Sequence, residues 1–326
     1  MSPSSRAVVA RLAYPLLIGW PLTLCYLATR FHPVNQELLG GKLAEGALFL
    51  GCAIPVICFL LWLEKNLGFQ PEQRPSDQDF RIDLTYLALG FLAITPLAQQ
   101  MIRVFAYVVA ASFLSTGATI WPSGWPILLQ LLLAVVVGEF GQYWFHRFAH
   151  STDLGWRVHA THHGTPQVYW LNATRFHPIE TVVKNLFQVG PLILLGCSRE
   201  TFLVYGVVTA CHGWVQHSNV AYRIGLFNLV MATPTNHRWH HSLKLQEANS
   251  NYGNVTVIWD HVFGSFFKSR GRQFAGGIGI GDMPDFPKTY FGQLFSPFTW
   301  RRLPRTAAVS TPVSPKVIEA PAREVA

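Results

Sequence analysis

Charge is what this chain has least of. Asp, Glu, Lys and Arg make up 13% of its 326 residues, while half are hydrophobic; soluble domains carry roughly 25% charged residues. That scarcity excludes an ordinary water-soluble globule and places the chain among membrane proteins. Cysteine supplies no framework: Cys25, Cys52, Cys58, Cys197 and Cys211 are odd in number, sit in apolar segments and form no C-x-x-C. They read as buried free thiols rather than disulfides. No run of Lys and Arg is interleaved with aromatics, so the net charge of +8 is read as basic flanks of apolar spans, and a nucleic-acid partner is excluded. The chain also lacks a G-x-G-x-x-G nucleotide unit, an HPGG haem motif and any internal repeat.

What is present, first, is apolar length. Residues 12–28, 47–63, 84–98 and 127–145 suggest spans, although several fall short of the roughly 20 residues that cross a bilayer. Segments 186–197 and 201–216, split only by Ser198, Arg199 and Glu200, suggest a helical hairpin that enters the membrane and returns. The N-terminal stretch is like a signal peptide but shows no small-x-small cleavage site, so a retained first span is expected. Residues 101–126, broken by Pro122, Gly124 and Pro126, are read as a loop or re-entrant piece. Basic residues mark the orientation. Arg6, Arg11, Lys65, Arg74, Arg81, Arg147, Arg157, Arg175 and Lys184 fall on one side, and only Arg30, Lys42 and Arg103 on the other. That asymmetry predicts a cytoplasmic N-terminus. The expectation is an all-α polytopic membrane helical bundle: an N-terminal transmembrane region over 1–126, a histidine-bearing domain over 127–270, and a C-terminal segment over 271–326, disordered from about Pro304.

Histidine is the second presence. Ten of thirteen fall into four groups: His146/His150, His159/His162/His163, His212/His217 and His237/His240/His241. Each group lies at or just beyond the end of an apolar segment, which the orientation puts on the cytoplasmic side. Neutral imidazole suits zinc, copper, iron and nickel, and polar groups beside lipid are costly unless they serve something. His146 and His150 share one face of a helix at i and i+4. In HATHH and HRWHH the i and i+3 pair is expected to face one way and the adjacent ring about 100° aside, so that each box serves two metals. The five-residue spacing of His212 and His217 calls for a π-bulge or an unwound turn. Ten neutral donors exceed one metal and suit two. A di-zinc membrane hydrolase could use the same donors. A bis-histidine haem protein would need few rings facing each other deep in the membrane. A metal transporter would want ionisable residues at the midplane, and 12–28, 47–63 and 84–98 hold none.

HRFAH, HATHH and HRWHH resemble the three histidine boxes of the fatty acid hydroxylase/sterol desaturase superfamily. YWFHRFAHSTDLGWRVHATHH at 143–163, RFHPIE at 175–180, HSN at 217–219 and NYGNVTVIWDHVFGSF at 251–266 are similar to that group too, over residues 133–267 in all. The short interval between the first two boxes fits the hydroxylase branch better than the acyl-lipid desaturases. The resemblance implies two iron ions held by the ten grouped histidines, with O2 as co-substrate. It also implies hydroxylation of a lipid, with desaturation as the alternative, and an external electron donor of ferredoxin or cytochrome type. Glu139 and Glu180 are the candidate catalytic carboxylates, with Asp153 and Asp260 as further acidic partners of the rings. His177 is a candidate partner of the ligands, a substrate-lining residue or a loop cap, positioned by Asn172, Arg175 and Glu180. His261 stands where relatives commonly have Arg and is not expected to bind metal; His32 is read as interfacial. Trp144, Trp156, Tyr169, Trp170, Trp214 and Trp239 line a lateral path for lipid or form an interfacial belt. Among the substrates of the group (sterols, fatty acyl chains, alkylglycerols, carotenoids, ornithine lipids), an aminolipid such as ornithine lipid is expected, in a multi-pass protein of a bacterial inner membrane.

Overall fold

Helix formers dominate the apolar runs, and every regular element is helical in a computed structural model, which describes residues 1–30, 41–70, 74–113, 120–269 and 272–306. His32 and the tail beyond residue 306 lie outside them. Among the described residues the β pairings are isolated bridges, Gly68 with Val220, Met231 with Thr256 and Ser242 with Ile278.

Helices α1 (Pro3–Arg30) and α2 (Gly41–Leu67) come first. Next, α3 (Asp77–Leu89) passes through a π-turn at Gly90–Ile94 into α4 (Thr95–Phe113), and α5 spans Ile127–Ser151. Four stretches here are long and apolar enough to cross a membrane: Pro3–Arg30, Leu43–Leu67, Asp77–Phe105 and Ile127–Ser151. Each exceeds its sequence-predicted length. Residues 101–113, read as part of a loop or re-entrant piece, continue the third of these helices. The breakers Pro122, Gly124 and Pro126 all lie further on, and nothing in MIRVFAYVVAASF stops a helix. Leu12, Leu16, Leu61, Leu92, Leu128 and Leu132 point outward and exposed, as side chains facing acyl chains should.

Inward, Tyr14, Leu17, Leu60, Leu63, Leu171, Leu192 and Val215 join one core. The remaining helices are α6 (Asp153–His163), α7 (Pro178–Leu194), α8 (Arg199–His217), α9 (Pro234–His240), α10 (Leu245–Ala248), α11 (Ile258–Val262) and α12 (Tyr290–Thr299). The paired segments 186–197 and 201–216 correspond to α7 and α8, and α7 begins earlier than predicted because His177 caps it and Pro178 occupies its first turn. Gly196, at φ 76°, and the Ser198 cap connect the two helices. Close approach of α5 to α7 and α8 depends on small residues. A Cβ at Gly141 would stand 1.8 Å from the Phe187 carbonyl oxygen, and one at Gly138 2.3 Å from the Tyr205 hydroxyl.

Carboxylates at the helix ends tie the spans to the loops that carry the site. Asp83 on α3, fully buried, accepts from the Arg175 guanidinium and the Tyr169 hydroxyl, and Arg175 also reaches Asp79 at 3.3 Å. Glu64 on α2 accepts from the Trp170 and Asn219 amides, both at 2.9 Å. Removing one partner of such a buried pair leaves an uncompensated charge, at a cost of roughly 3–5 kcal/mol.

Candidate metal centre

Three short caps aim the histidine boxes at one point. Thr152 accepts from the Gly155 amide and turns the chain from α5 back into α6. Thr233 accepts from the Asn236 amide to start α9, and Ser198 starts the helix that ends at His217. The rings meet in two groups. His146, His150, His159, His163 and His240 form one; His162, His217, His237 and His241 form the other. Within each group, one potential ligand atom per ring lies within 4.8 Å of all the others. The groups abut, with the His163 and His241 rings stacked at 4.3 Å.

Each triple box is split between the groups, as expected, but along a different line. His159 pairs with His163 and His237 with His241, while His162 and His240 cross over. The helix explains the correction: residues i and i+4 differ by about 40° in azimuth and i and i+3 by about 60°.

His212 joins neither group. The bulge anticipated between His212 and His217 is absent, and α8 runs as an α-helix to His217, so a five-residue interval leaves the rings about 140° apart. His212 Nε2 lies 3.3 Å from the Tyr14 hydroxyl instead.

Acceptors on the far side of the rings set the tautomers. The Nδ1–H of His146 donates to the Tyr252 carbonyl at 2.8 Å, that of His240 to the Ser250 carbonyl at 2.8 Å, and that of His150 to Asn249 Oδ1 at 3.3 Å. His159 donates to Glu180 Oε1 at 2.5 Å, His162 to the Arg175 carbonyl at 3.3 Å, and His217 to Asn172 Oδ1 at 2.9 Å. Each such bond leaves a bare lone pair on Nε2. The Nε2 atoms of His146 and His159 nevertheless stand 3.1 Å apart. Two acceptors at that distance repel unless both lone pairs are directed at a shared cation beside them. The Nε2 atoms of His150 and His240 are buried without a hydrogen-bond partner among the described residues. Burial above all, then the neighbouring imidazoles, holds His159, His162, His163, His237 and His241 well below the usual histidine range; burial brings His240 down to about 4. Neutral, converging imidazoles fit a pair of divalent transition metals.

Asn172, Arg175 and Glu180 were expected to position His177. They hold His217, His162 and His159 instead. His177 caps α7, accepting from the Ile179 amide at 3.2 Å and donating to the Leu294 carbonyl at 3.0 Å. Glu139 does not touch a ring: its Oε2 accepts the amides of Asn254, Val255 and Thr256 at 2.8, 3.0 and 3.4 Å. Asp260 grips the same turn through the Tyr252 and Gly253 amides, both at 2.9 Å. Asp153 faces solvent and pairs with Arg157. His261, exposed, bonds the Leu229 carbonyl. Of the six aromatics named above, Trp156 is the one beside the rings, 5.2 Å from both His150 and His163.

Two features escaped the sequence reading. The strip 249–252 supplies acceptors to three rings, two of them backbone carbonyls that no side-chain pattern reveals; the available signal was Asn251, whose φ of 53° suits Asn in a tight turn. Lys184 lies one turn beyond Glu180, with its ammonium 4.1 Å from the Phe176 ring centroid, and lines a cavity with Gln142, Glu180, Gln216 and five of the histidines. A lysine one turn from a buried glutamate on an apolar-rich helix was the signal there.

Comparison with known proteins bears on this arrangement. The family model described as fatty acid hydroxylase matches residues 131–265. Ornithine lipid hydroxylase OlsE of Rhizobium tropici is 33% identical over 300 residues, 91% of this chain and 86% of the relative. Alkylglycerol monooxygenase of Danio rerio is 25% identical across 86% of this chain, which spans only 61% of that relative's length. A putative methylsterol monooxygenase of Dictyostelium discoideum is 26% identical over 71% of this chain and 84% of its own length. No solved structure matches.

Proposed function

The chain belongs to the fatty acid hydroxylase family, and from that premise we propose that it is a di-iron membrane monooxygenase that hydroxylates an aminolipid of the ornithine lipid kind. The convergence of nine imidazoles into a group of five and a group of four carries this reading. We assign His146, His150, His159, His163 and His240 to one iron and His162, His217, His237 and His241 to the other. His212 is left out because its ring turns toward Tyr14. Support for the substrate class is the similarity to the ornithine lipid hydroxylase across nine tenths of the chain.

When bound, the two irons supply the reduction of O2 and the oxidation of an unactivated C–H bond, which acid–base side chains cannot perform. The chain's own part is positional. Glu180, Asn172 and the carbonyls of Arg175, Ser250 and Tyr252 keep protons on Nδ1 and turn the Nε2 lone pairs inward. Burial excludes water from the rings. Lys184 and Gln142 give the adjoining cavity its polar lining. The segment 127–270 serves as the catalytic domain, the preceding spans hold it in the bilayer, and the lipid arrives laterally. Electrons come from an external ferredoxin- or cytochrome-type donor at the basic cytoplasmic face of a bacterial inner membrane.

Lipid extracts compared by mass spectrometry, with and without expression, test this together with metal analysis of the purified protein. The expected result is a gain of one oxygen on an aminolipid and iron at about two per chain. Loss of two hydrogens would make the protein a desaturase. Zinc without O2 uptake would make it a hydrolase.

A further inference from the structure

Helix α12 lies outside the metal centre and presents an apolar stripe that nothing among the described residues covers. Phe291, Phe295 and Phe298 are 67, 56 and 73% exposed. Their spacing of i, i+4 and i+7 puts all three on one face. The opposite face is closed, with Gln293 and Ser296 buried and Trp300, just past the end, donating to Asp153 Oδ1 at 3.0 Å. Exposed basic residues bracket the stripe: Lys288 before the helix, Arg301 and Arg302 after it.

The position of the stripe identifies what covers it. Gln78, in the first turn of the third membrane-crossing helix, donates to the Lys288 carbonyl at 2.6 Å, and Tyr86 and Tyr290 pack with ring centroids 5.0 Å apart. α12 therefore starts where a span starts, at the depth of the headgroups. An open groove between the two helix starts is lined by Arg81, Lys288, Thr85 and Thr289 beside Asp77. A short helix with aromatics on one face and lysine and arginine at its ends suits an anionic lipid surface, with the rings in the acyl boundary and the cations on the headgroups.

We propose that α12 is an interfacial helix that inserts Phe291, Phe295 and Phe298 into the leaflet and seats anionic headgroups on Lys288, Arg81, Arg301 and Arg302. Its attachment reaches the metal centre through one continuous chain of contacts. Leu294 accepts from His177, His177 caps α7, and the first turn of α7 carries Glu180, which holds His159. Leaflet contact at α12 thus steadies the helix that orients a ligand ring. The proposal stands whatever metal or reaction the centre supports.

The test uses the full-length protein in vesicles, with Cys58 replaced by Ser and Phe295→Cys carrying an environment-sensitive fluorophore. Asp285→Cys, at an exposed site, serves as the aqueous reference. The label at 295 is expected to be quenched by shallow doxyl lipids at least about twofold more than the reference, and by iodide correspondingly less. Phe298→Cys repeats the measurement should the first variant fold poorly. Insertion should be deeper in phosphatidylglycerol-containing vesicles than in phosphatidylcholine alone, and K288E/R301E/R302E should erase that difference. Iodide quenching equal to the reference would overturn the proposal. So would shielding from both quenchers, which would mean that protein rather than lipid covers the stripe. A charge-reversed variant indistinguishable from the parent in both vesicle types would overturn the headgroup contacts.

Discussion

The two histidine groups are built from the same residue type but are not held alike. In the five-ring group, four rings donate from Nδ1 to fixed acceptors, one of them the buried Glu180 carboxylate. In the four-ring group only His162 and His217 do so, and the Nδ1 atoms of His237 and His241 are buried without a partner among the described residues. An anchored ring is oriented before metal arrives, whereas an unanchored one is oriented by the metal itself. The five-ring group is thus the more preorganised, and the four-ring group the more adaptable.

That contrast can be broken at several points. The largest effect is expected from His240→Ala, which removes a ring of the five-ring group on the box shared with the other; iron loading and turnover should both vanish. His212→Ala, in a ring equally buried but outside both groups, should keep its iron, and loss of iron there would undo the nine-ring assignment. Arg175→Ala strikes both the Asp83 pair and the loop that carries the acceptor of His162. A loss of roughly 3–5 kcal/mol should appear as a lowered unfolding midpoint, with iron falling in proportion. Glu180→Gln and Asn172→Ala sharpen the comparison directly. Each should weaken metal retention against a chelator by about 10–100-fold, Glu180→Gln in the five-ring group and Asn172→Ala in the four-ring group, read as the order in which the two irons leave. Iron leaving in the same order in both variants would mean that the groups are not held separately. The smallest effect belongs to His261→Ala, exposed and distant, which should change stability by less than about 0.5 kcal/mol and leave the iron content alone.

Much of the site was legible because histidine boxes on helices carry their own geometry: a 3.6-residue period and the spacings of HRFAH, HATHH and HRWHH suffice to bring rings to common faces. The helical bundle and four spans were legible for a similar reason, since apolar length requires no knowledge of partners. Where inference missed, the missing quantity was a contact between distant segments. Glu139, three and seven residues before Gln142 and His146, looked like a partner of the rings, yet its carboxylate turns to the amides of 254–256. Asn172 and Arg175 sat near His177 in sequence and serve other rings in space. The i and i+3 pairing within the boxes failed for a smaller reason, a difference of about 20° in azimuth.

Residue order alone decided that this is a helical, membrane-embedded chain with imidazoles gathered near the ends of its apolar segments, because period and hydropathy are local properties. Only the tertiary fold decided which rings belong to which group, that His212 belongs to neither, and that the carbonyls of 249–252 steer the imidazoles. Hydrogen bonds across a hundred residues depend on how helices pack, and packing is a property of the whole chain at once.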